Sequence, residues 1–350
     1  VTTPRDEPTN DQPPSAVRGR LRELIDANWT TQAIAVAVQL RLPDMLIDGP
    51  RSTETLAGQT SCHPPSLLRL LRALASIGIV TQQPDGCFAL TDIGRVLGAN
   101  APGSMAAWAE LSGTSSWVAW GQLLSCVQSG HSVGKQTTGA DGFEHLQHDA
   151  DAARLFNRAM VSVSQPVAAA LASEVDFGGV AHVVDVGGGR GTLLAAVLRA
   201  HPRMQGTLFD MAHAVDAARA HLAEAGVLEH CHLVGGDFFE AVPAGADAYL
   251  LKTVLHDWND ERCVAILACC ARSMPASGRL LVVERLMPAR YAVTAHDQGV
   301  ARGDLNMLVA QNGRERTLDE FCALLAAAGL VLVGSLTLSV GFSVLSATRI

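Results

Sequence analysis

Val183-Val184-Asp185-Val186-Gly187-Gly188-Gly189-Arg190-Gly191 is a short apolar run that opens into glycines, and the helix predicted over Thr192–Ala200 follows at once. A strand, a glycine loop and a helix in that order form the first unit of an open α/β sheet. The glycine spacing departs from a dinucleotide fingerprint. Counting from Gly187, the sixth position is Thr192; counting from Gly188, the third is Arg190. What remains is G-x-G-x-G with an acid two residues ahead of it. The glycines let a ligand approach the backbone closely, and Asp185 supplies an anionic acceptor. An acid is a poor neighbour for pyrophosphate. It suits a ligand whose near end carries an ammonium group.

Strands and helices alternate from there to the end. Strands are predicted at His182–Val186, Gly206–Asp210, Cys231–Val234, Ala248–Lys252, Arg279–Glu284, Leu330–Val333 and Phe342–Thr348, with helices across Val215–Ala225 and Glu261–Ser273. This is the pattern of a parallel, doubly wound sheet, whose ligands sit at the carboxyl ends of the strands. Asp210 ends the second strand, placed to accept from two ribose hydroxyls. Asp237-Phe238 follows the third, a carboxylate and an aromatic face suited to an adenine. Each acid alone reads equally well as a helix N-cap. Asp185, Asp210 and Asp237, three acids at successive strand ends, together favour a nucleoside whose near end carries an ammonium group, as S-adenosyl-L-methionine does.

Toward the amino terminus the texture is helical. Trp29–Leu40 is apolar around much of a helix and asks for burial on more than one side. A short helix starts at Thr53, a longer one carries Leu67, Leu68, Leu70, Leu71, Leu74 and Ile77, and Ile79–Thr81 with Cys87–Leu90 flank the turn Pro84-Asp85-Gly86. Helix, helix, helix, hairpin is the order of a winged helix, which raises DNA binding as one function. Charge argues against it. Residues 1–100 hold nine Arg, no Lys and ten acids, a net of −1, and the whole chain carries −8. Pairing of two chains fits the apolar helix better.

The 350 residues, 48% hydrophobic and 17% charged, suit two globular domains and exclude general disorder. Residues 1–15, VTTPRDEPTNDQPPS, read as a disordered tail without a signal peptide. The longest apolar run, Ala323–Val333, is too short for a bilayer, so no membrane partner and a cytoplasmic site are expected. Eight cysteines show no C-x-x-C pair and read as buried small hydrophobes. The expected division is residues 16–100 for pairing, 101–170 as a helical pocket region holding Trp108, Trp117 and Trp120, and 171–350 for chemistry.

The ordered motifs VVDVGGGRG, GDFFEAVPAGADAYLLKTVLHDWNDE, LLVVERLMP, DLNMLV and GRERT resemble the class I S-adenosylmethionine-dependent small-molecule O-methyltransferases. The similarity covers nearly all of the chain beyond the tail. One departure is Ala212, where that family commonly has proline. The resemblance implies a Rossmann-like methyltransferase domain behind a winged-helix dimerisation domain. It also implies a homodimer whose partner helps close the pocket, a hydroxylated small-molecule acceptor and no metal.

Residue by residue, the resemblance makes His256 the base that deprotonates the acceptor, with Glu284 and Glu315 as the acids that orient it. Two carboxylates beside one imidazole raise its pKa. Lys252 and Ser164 match cofactor contacts, joining Asp185, Gly187, Gly189, Asp210, Asp237 and Phe238. Phe156, Met160, Met307 and Gln311 match acceptor-lining positions, and Asp257 either touches the acceptor or caps a helix. N- or C-methylation on the same fold, as in phenazine-type members, is a second reading; hydroxylation or decarboxylation by drifted relatives is disfavoured by the His–Glu–Glu set. A regulator sensing S-adenosylmethionine is a third.

Overall fold

The computed structural model describes residues 15–139 and 149–350, which leaves the tail reading for residues 1–14 outside the described residues. The chain forms two compact units that part between Ala101 and Pro102.

In the first unit, helices Ser15–Gln39, Leu42–Leu46, Thr53–Thr60 and Pro64–Ser76 precede an antiparallel hairpin of β1 (Val80–Gln82) and β2 (Phe88–Leu90). The last of these helices buries Leu67, Leu71 and Leu74, one stripe at helical spacing. Proline in its first turn fits a position whose N–H would have no partner anyway. Ser52 caps the preceding helix by accepting from Thr55 N–H, and Arg51 pairs with Phe88 beside the hairpin. The winged-helix order is present. The long first helix buries only Ala35 and Ala37 within the chain. Val17, Leu21, Leu24, Ile25 and Trp29 form an exposed apolar stripe, Trp29 being 65% accessible.

The second unit is built on a seven-stranded sheet in the order β5-β4-β3-β6-β7-β9-β8. The strands are β3 (His182–Val186), β4 (Gln205–Asp210), β5 (Cys231–Gly235), β6 (Ala248–Lys252), β7 (Arg279–Glu284), β8 (Leu330–Thr337) and β9 (Ser343–Arg349). Five are parallel, but β9 runs antiparallel to both β7 and β8. The all-parallel expectation fails at that edge for a simple reason. Only residues 338–342 join β8 to β9, whereas a parallel connection needs a crossover of roughly a dozen residues. Central strands are covered on both faces: Tyr249 and Leu251 of β6 enter one core, Ala248 and Leu250 the other.

The helices of residues 102–174 fold with this sheet. The helix Ala150–Glu174 buries Val167, Ala168, Ala170 and Leu171 in the core that holds Leu193, Leu194, Val197 and Leu198 of the helix Thr192–Ala200. Strand order reverses at β3, which has β4 on one side and β6 on the other. The loops after β3 and β6 therefore splay apart and leave a crevice at the carboxyl ends of the strands. Among the described residues, no helix is long and apolar enough to cross a membrane.

Candidate active site

The glycine loop leaves β3 through Gly187 (φ +71°) and Gly189 (φ +57°), conformations that a side chain would strain. Gly188 serves close approach instead. A Cβ there would stand 2.4 Å from Leu208 Cδ1 and 2.6 Å from Asp185 Oδ2. Asp185 is buried and its Oδ2 has no hydrogen-bond partner among the described residues. Burial pushes its carboxyl up to about 7, against the pull of Lys252. A buried acceptor without a donor, beside a glycine cradle, fits a cationic ligand that brings the missing donor.

Asp210 closes the same loop. Its Oδ2 accepts from Gly189 N–H at 2.8 Å and its Oδ1 from Met211 N–H at 2.7 Å. Each oxygen keeps a lone pair for an outside donor. Asp237 is exposed and accepts from Phe239 N–H at 2.8 Å, an Asx turn. Phe238 is half-buried against Gly187 and packs edge-on to Trp258, whose ring and that of Phe239 are both capped by the Arg262 guanidinium. Phe238 therefore stands beside the glycine loop.

Lys252 ends β6 and donates to Ser164 Oγ at 2.9 Å, tying the strand to the helix Ala150–Glu174. Burial pushes its pKa down, while Glu284, Asp185 and Asp257 pull it up. The chain then turns through Thr253 (φ +50°) into the tight helical turn Leu255–Asp257. A non-glycine residue in that region is strained and is held only where its surroundings fix it.

His256 stands on this turn among carboxylates. Its Nδ1 lies 3.2 Å from Glu315 Oε1 and 3.7 Å from Glu284 Oε2, and its Nε2 lies 3.6 Å from Asp257 Oδ1. Glu284 is 0% and Glu315 3% exposed. Glu284 Oε1 also accepts from Leu255 N–H at 3.0 Å and His256 N–H at 3.4 Å, so one carboxylate addresses backbone and ring of the same turn. Burial alone would push the imidazole pKa down. Glu284, Asp257 and Glu315 outweigh it and raise the value to about 9. Burial in turn lifts Glu284 to about 7 and Asp257 to about 6, with His256 opposing both.

Of the positions matched to the acceptor, Phe156 and Met160 are half-buried, four residues apart on one helix. Met307 lies near the end of the helix Ala295–Ala310, and Gln311 caps it, buried, with Oε1 lacking a partner among the described residues. That helix is joined to the tryptophan segment by Trp120 Nε1–H, which donates to Asn306 Oδ1 at 3.0 Å. Trp108 and Trp117 are more exposed.

Sequence reasoning missed several residues here. Asp304 accepts from Glu315 N–H at 2.9 Å. Gly313 passes so close to the turn that a Cβ would fall 2.0 Å from His256 O. Arg316, wholly buried, reaches the carbonyls of Leu255 and Trp258. Their signal lay in the GRERT and DLNMLV motifs, but only their partners across the fold give them a task.

Fold and site together define a Rossmann-like methyltransferase. The O-methyltransferase domain family matches residues 120–331, and the O-methyltransferase dimerisation domain matches residues 22–100. The chain belongs to this family of S-adenosylmethionine-dependent O-methyltransferases. It is 39% identical to the phenazine O-methyltransferase PhzM of Lysobacter antibioticus, over 94% of this chain and 96% of that protein. The crystal structure of LaPhzM superposes with a TM-score of 0.91 at 39% identity, covering 95% of this chain and 99% of that one. NcsB1, an O-methyltransferase from neocarzinostatin biosynthesis solved with S-adenosylmethionine and 2-hydroxy-5-methyl naphthoic acid, superposes at 0.79 with 31% identity over 94% and 98%. Aclacinomycin 10-hydroxylase RdmB of Streptomyces purpurascens is 35% identical over 92% and 88%, so a different reaction is named on a related chain.

Proposed function

We propose that the chain transfers a methyl group from S-adenosyl-L-methionine to a hydroxyl of an aromatic or polyketide-like secondary metabolite, with His256 as general base. The observation that carries this reading is the His256 imidazole held between two buried glutamates at the carboxyl end of β6. Asp185 would take the ammonium of the cofactor, Asp210 its ribose, and Asp237 with Phe238 its adenine. Gly187 and Gly189 would admit it to the backbone, while Lys252 and Ser164 close the far side. Bound there, the cofactor supplies a methyl on a cationic sulfur that leaves neutral.

The protein's own task is then alignment and proton removal. His256 accepts the hydroxyl proton at Nε2, because Nδ1 faces Glu315 and Glu284. A phenol titrates near 10, so a base near 9 takes its proton with little uphill cost. The imidazolium formed is met by carboxylates already in place. Asp257, beside Nε2, faces the acceptor, and Phe156, Met160, Met307 and Gln311 line it. The unpartnered Gln311 Oε1 favours an acceptor that brings a hydrogen-bond donor.

The base must be unprotonated to act, and its pKa is raised, so activity is lost as pH falls below about 9. The rate of methyl transfer in the enzyme–acceptor complex should climb about tenfold per pH unit from neutral pH toward 9 and level off above it. An ordinary histidine would level off near 7, and a plateau there would refute the assignment. Transfer of tritiated methyl from the cofactor to phenols, quinones, hydroxyphenazines and aromatic amines tests the function itself. Labelling confined to amines, or none across the panel, would sink it.

The dimerisation-domain match and the exposed stripe Val17, Leu21, Leu24, Ile25 and Trp29 support a homodimer. The net charge of the first hundred residues still argues against DNA as a partner.

A further inference from the structure

Residues 313–316 grip the turn that carries His256 at nearly every backbone acceptor. Gly313 has no Cβ and so lets the two strands of chain meet; Arg314 N–H donates to His256 O at 2.9 Å. Glu315 reaches the imidazole. Arg316 Nη1 donates to Leu255 O at 3.0 Å and Nη2 to Trp258 O at 2.7 Å. Those two carbonyls also receive the Cys263 thiol, at 3.1 and 3.5 Å. Asp260 Oδ1 anchors the guanidinium through Nε at 3.0 Å and Nη2 at 2.8 Å. Among the described residues Arg316 is the largest side chain with no solvent access.

A buried cation needs a reason, because desolvating it is expensive and a hydrophobic side chain of that size would pack more cheaply. Its acid, Asp260, is 54% exposed, so the ion pair alone is a weak stabiliser. What the guanidinium does that no apolar group can is hold two carbonyls, three residues apart, in one rigid plane. That plane fixes the two ends of the turn.

We propose that Arg316 is a positioning residue for methyl transfer: by clamping Leu255 O and Trp258 O it keeps the His256 ring between Glu284 and Glu315. The idea rests on His256 being the base. Among the described residues Arg316 hydrogen-bonds to neither the imidazole nor the glycine loop; it acts through the turn, at Leu255 O and Trp258 O, and through its own loop, where Nη1 also donates to Arg314 O at 3.3 Å. The charged groups facing His256 are Glu284 from β7, Glu315 from the 313–316 loop and Asp257 from its own turn, with Lys252 and Asp304 one contact further out. If the turn drifts, the imidazole leaves the two glutamates and titrates closer to an ordinary histidine.

The test is single-turnover transfer of labelled methyl at saturating cofactor from pH 6 to 10, on wild type, Arg316→Met, Arg316→Lys and His256→Ala, with thermal melting to score folding. Arg316→Met should slow transfer by about 10–100-fold. Cofactor affinity by calorimetry should stay within about twofold, and the pH inflection should move down by at least about one unit. Arg316→Lys, which can satisfy only part of the donor set, should recover some of the rate and some of the inflection. Rate loss that only tracks the unfolded fraction, with the inflection unmoved, overturns the proposal. Should the Met variant not fold, the Lys variant decides alone: wild-type rate and inflection overturn it, a lowered inflection supports it. An inflection that survives in His256→Ala would indict the base assignment instead, so the two failures are separable.

Discussion

His256→Ala is expected to lower methyl transfer by about 10²–10⁴-fold, the usual worth of a general base, while S-adenosylmethionine affinity changes by no more than about twofold. The separation follows from the architecture. The imidazole sits on the turn after β6, whereas the glycine loop and Asp210 follow β3 and β4. Truncation leaves Glu284 and Glu315 without their cation, yet the fold has a way to absorb this. Glu284 already titrates near 7, so it takes up a proton at neutral pH and the like charges do not face each other bare. Its Oε1 still holds the backbone N–H of Leu255, and the turn stays in place. Single-turnover transfer with labelled cofactor, paired with calorimetry, reads both quantities. Undiminished turnover would mean that another group removes the proton. A lost cofactor site would mean that the turn belongs to binding, not to chemistry.

Asp210→Ala should do the opposite and weaken cofactor binding by about 10²–10⁴-fold. Hydrogen bonds to a charged group contribute about 1.5–3 kcal/mol each, and a ribose diol would make two. The carboxylate has four acceptor positions. Gly189 N–H and Met211 N–H take one on each oxygen, which leaves acceptor capacity on both oxygens for a ribose diol. Part of the loss will come from the loop itself, since Gly189 loses the acceptor that holds it. Asp210→Asn separates the two contributions: it keeps one acceptor oxygen and should fall between wild type and Ala. Equal affinity in all three proteins by calorimetry would break the ribose assignment.

Much of the second unit could be read along the chain, because its elements announce themselves locally. β3, β6 and β7 are apolar runs bounded by turn residues, and the glycines after β3 mark a backbone that leaves the right-handed region. The acids at strand ends were legible for the same reason, each following a recognisable strand. Asp237 shows where that logic stops: its Asx turn and its exposure depend on how the loop after β5 settles. The reversed direction of β9 is not legible in the sequence, because periodicity reports which faces of a strand are buried and says nothing of its direction.

Sequence by itself determined the α/β class, the glycine loop with its acid and the helix–hairpin order of the first unit, each through local sterics or spacing within one element, whereas His256 is singled out by a family resemblance. The resemblance names Glu284 and Glu315 beside that histidine, but only the tertiary structure brings them within reach and sets Asp257 against Nε2. Glu284 and Glu315 lie 28 and 59 residues beyond His256 in the chain, and Arg316 grips a carbonyl 61 residues before it. An imidazole lifted to about 9 is a property of that convergence. No segment carries it, because the carboxylates that raise the value meet the ring only when β6, β7 and the 313–316 loop have packed.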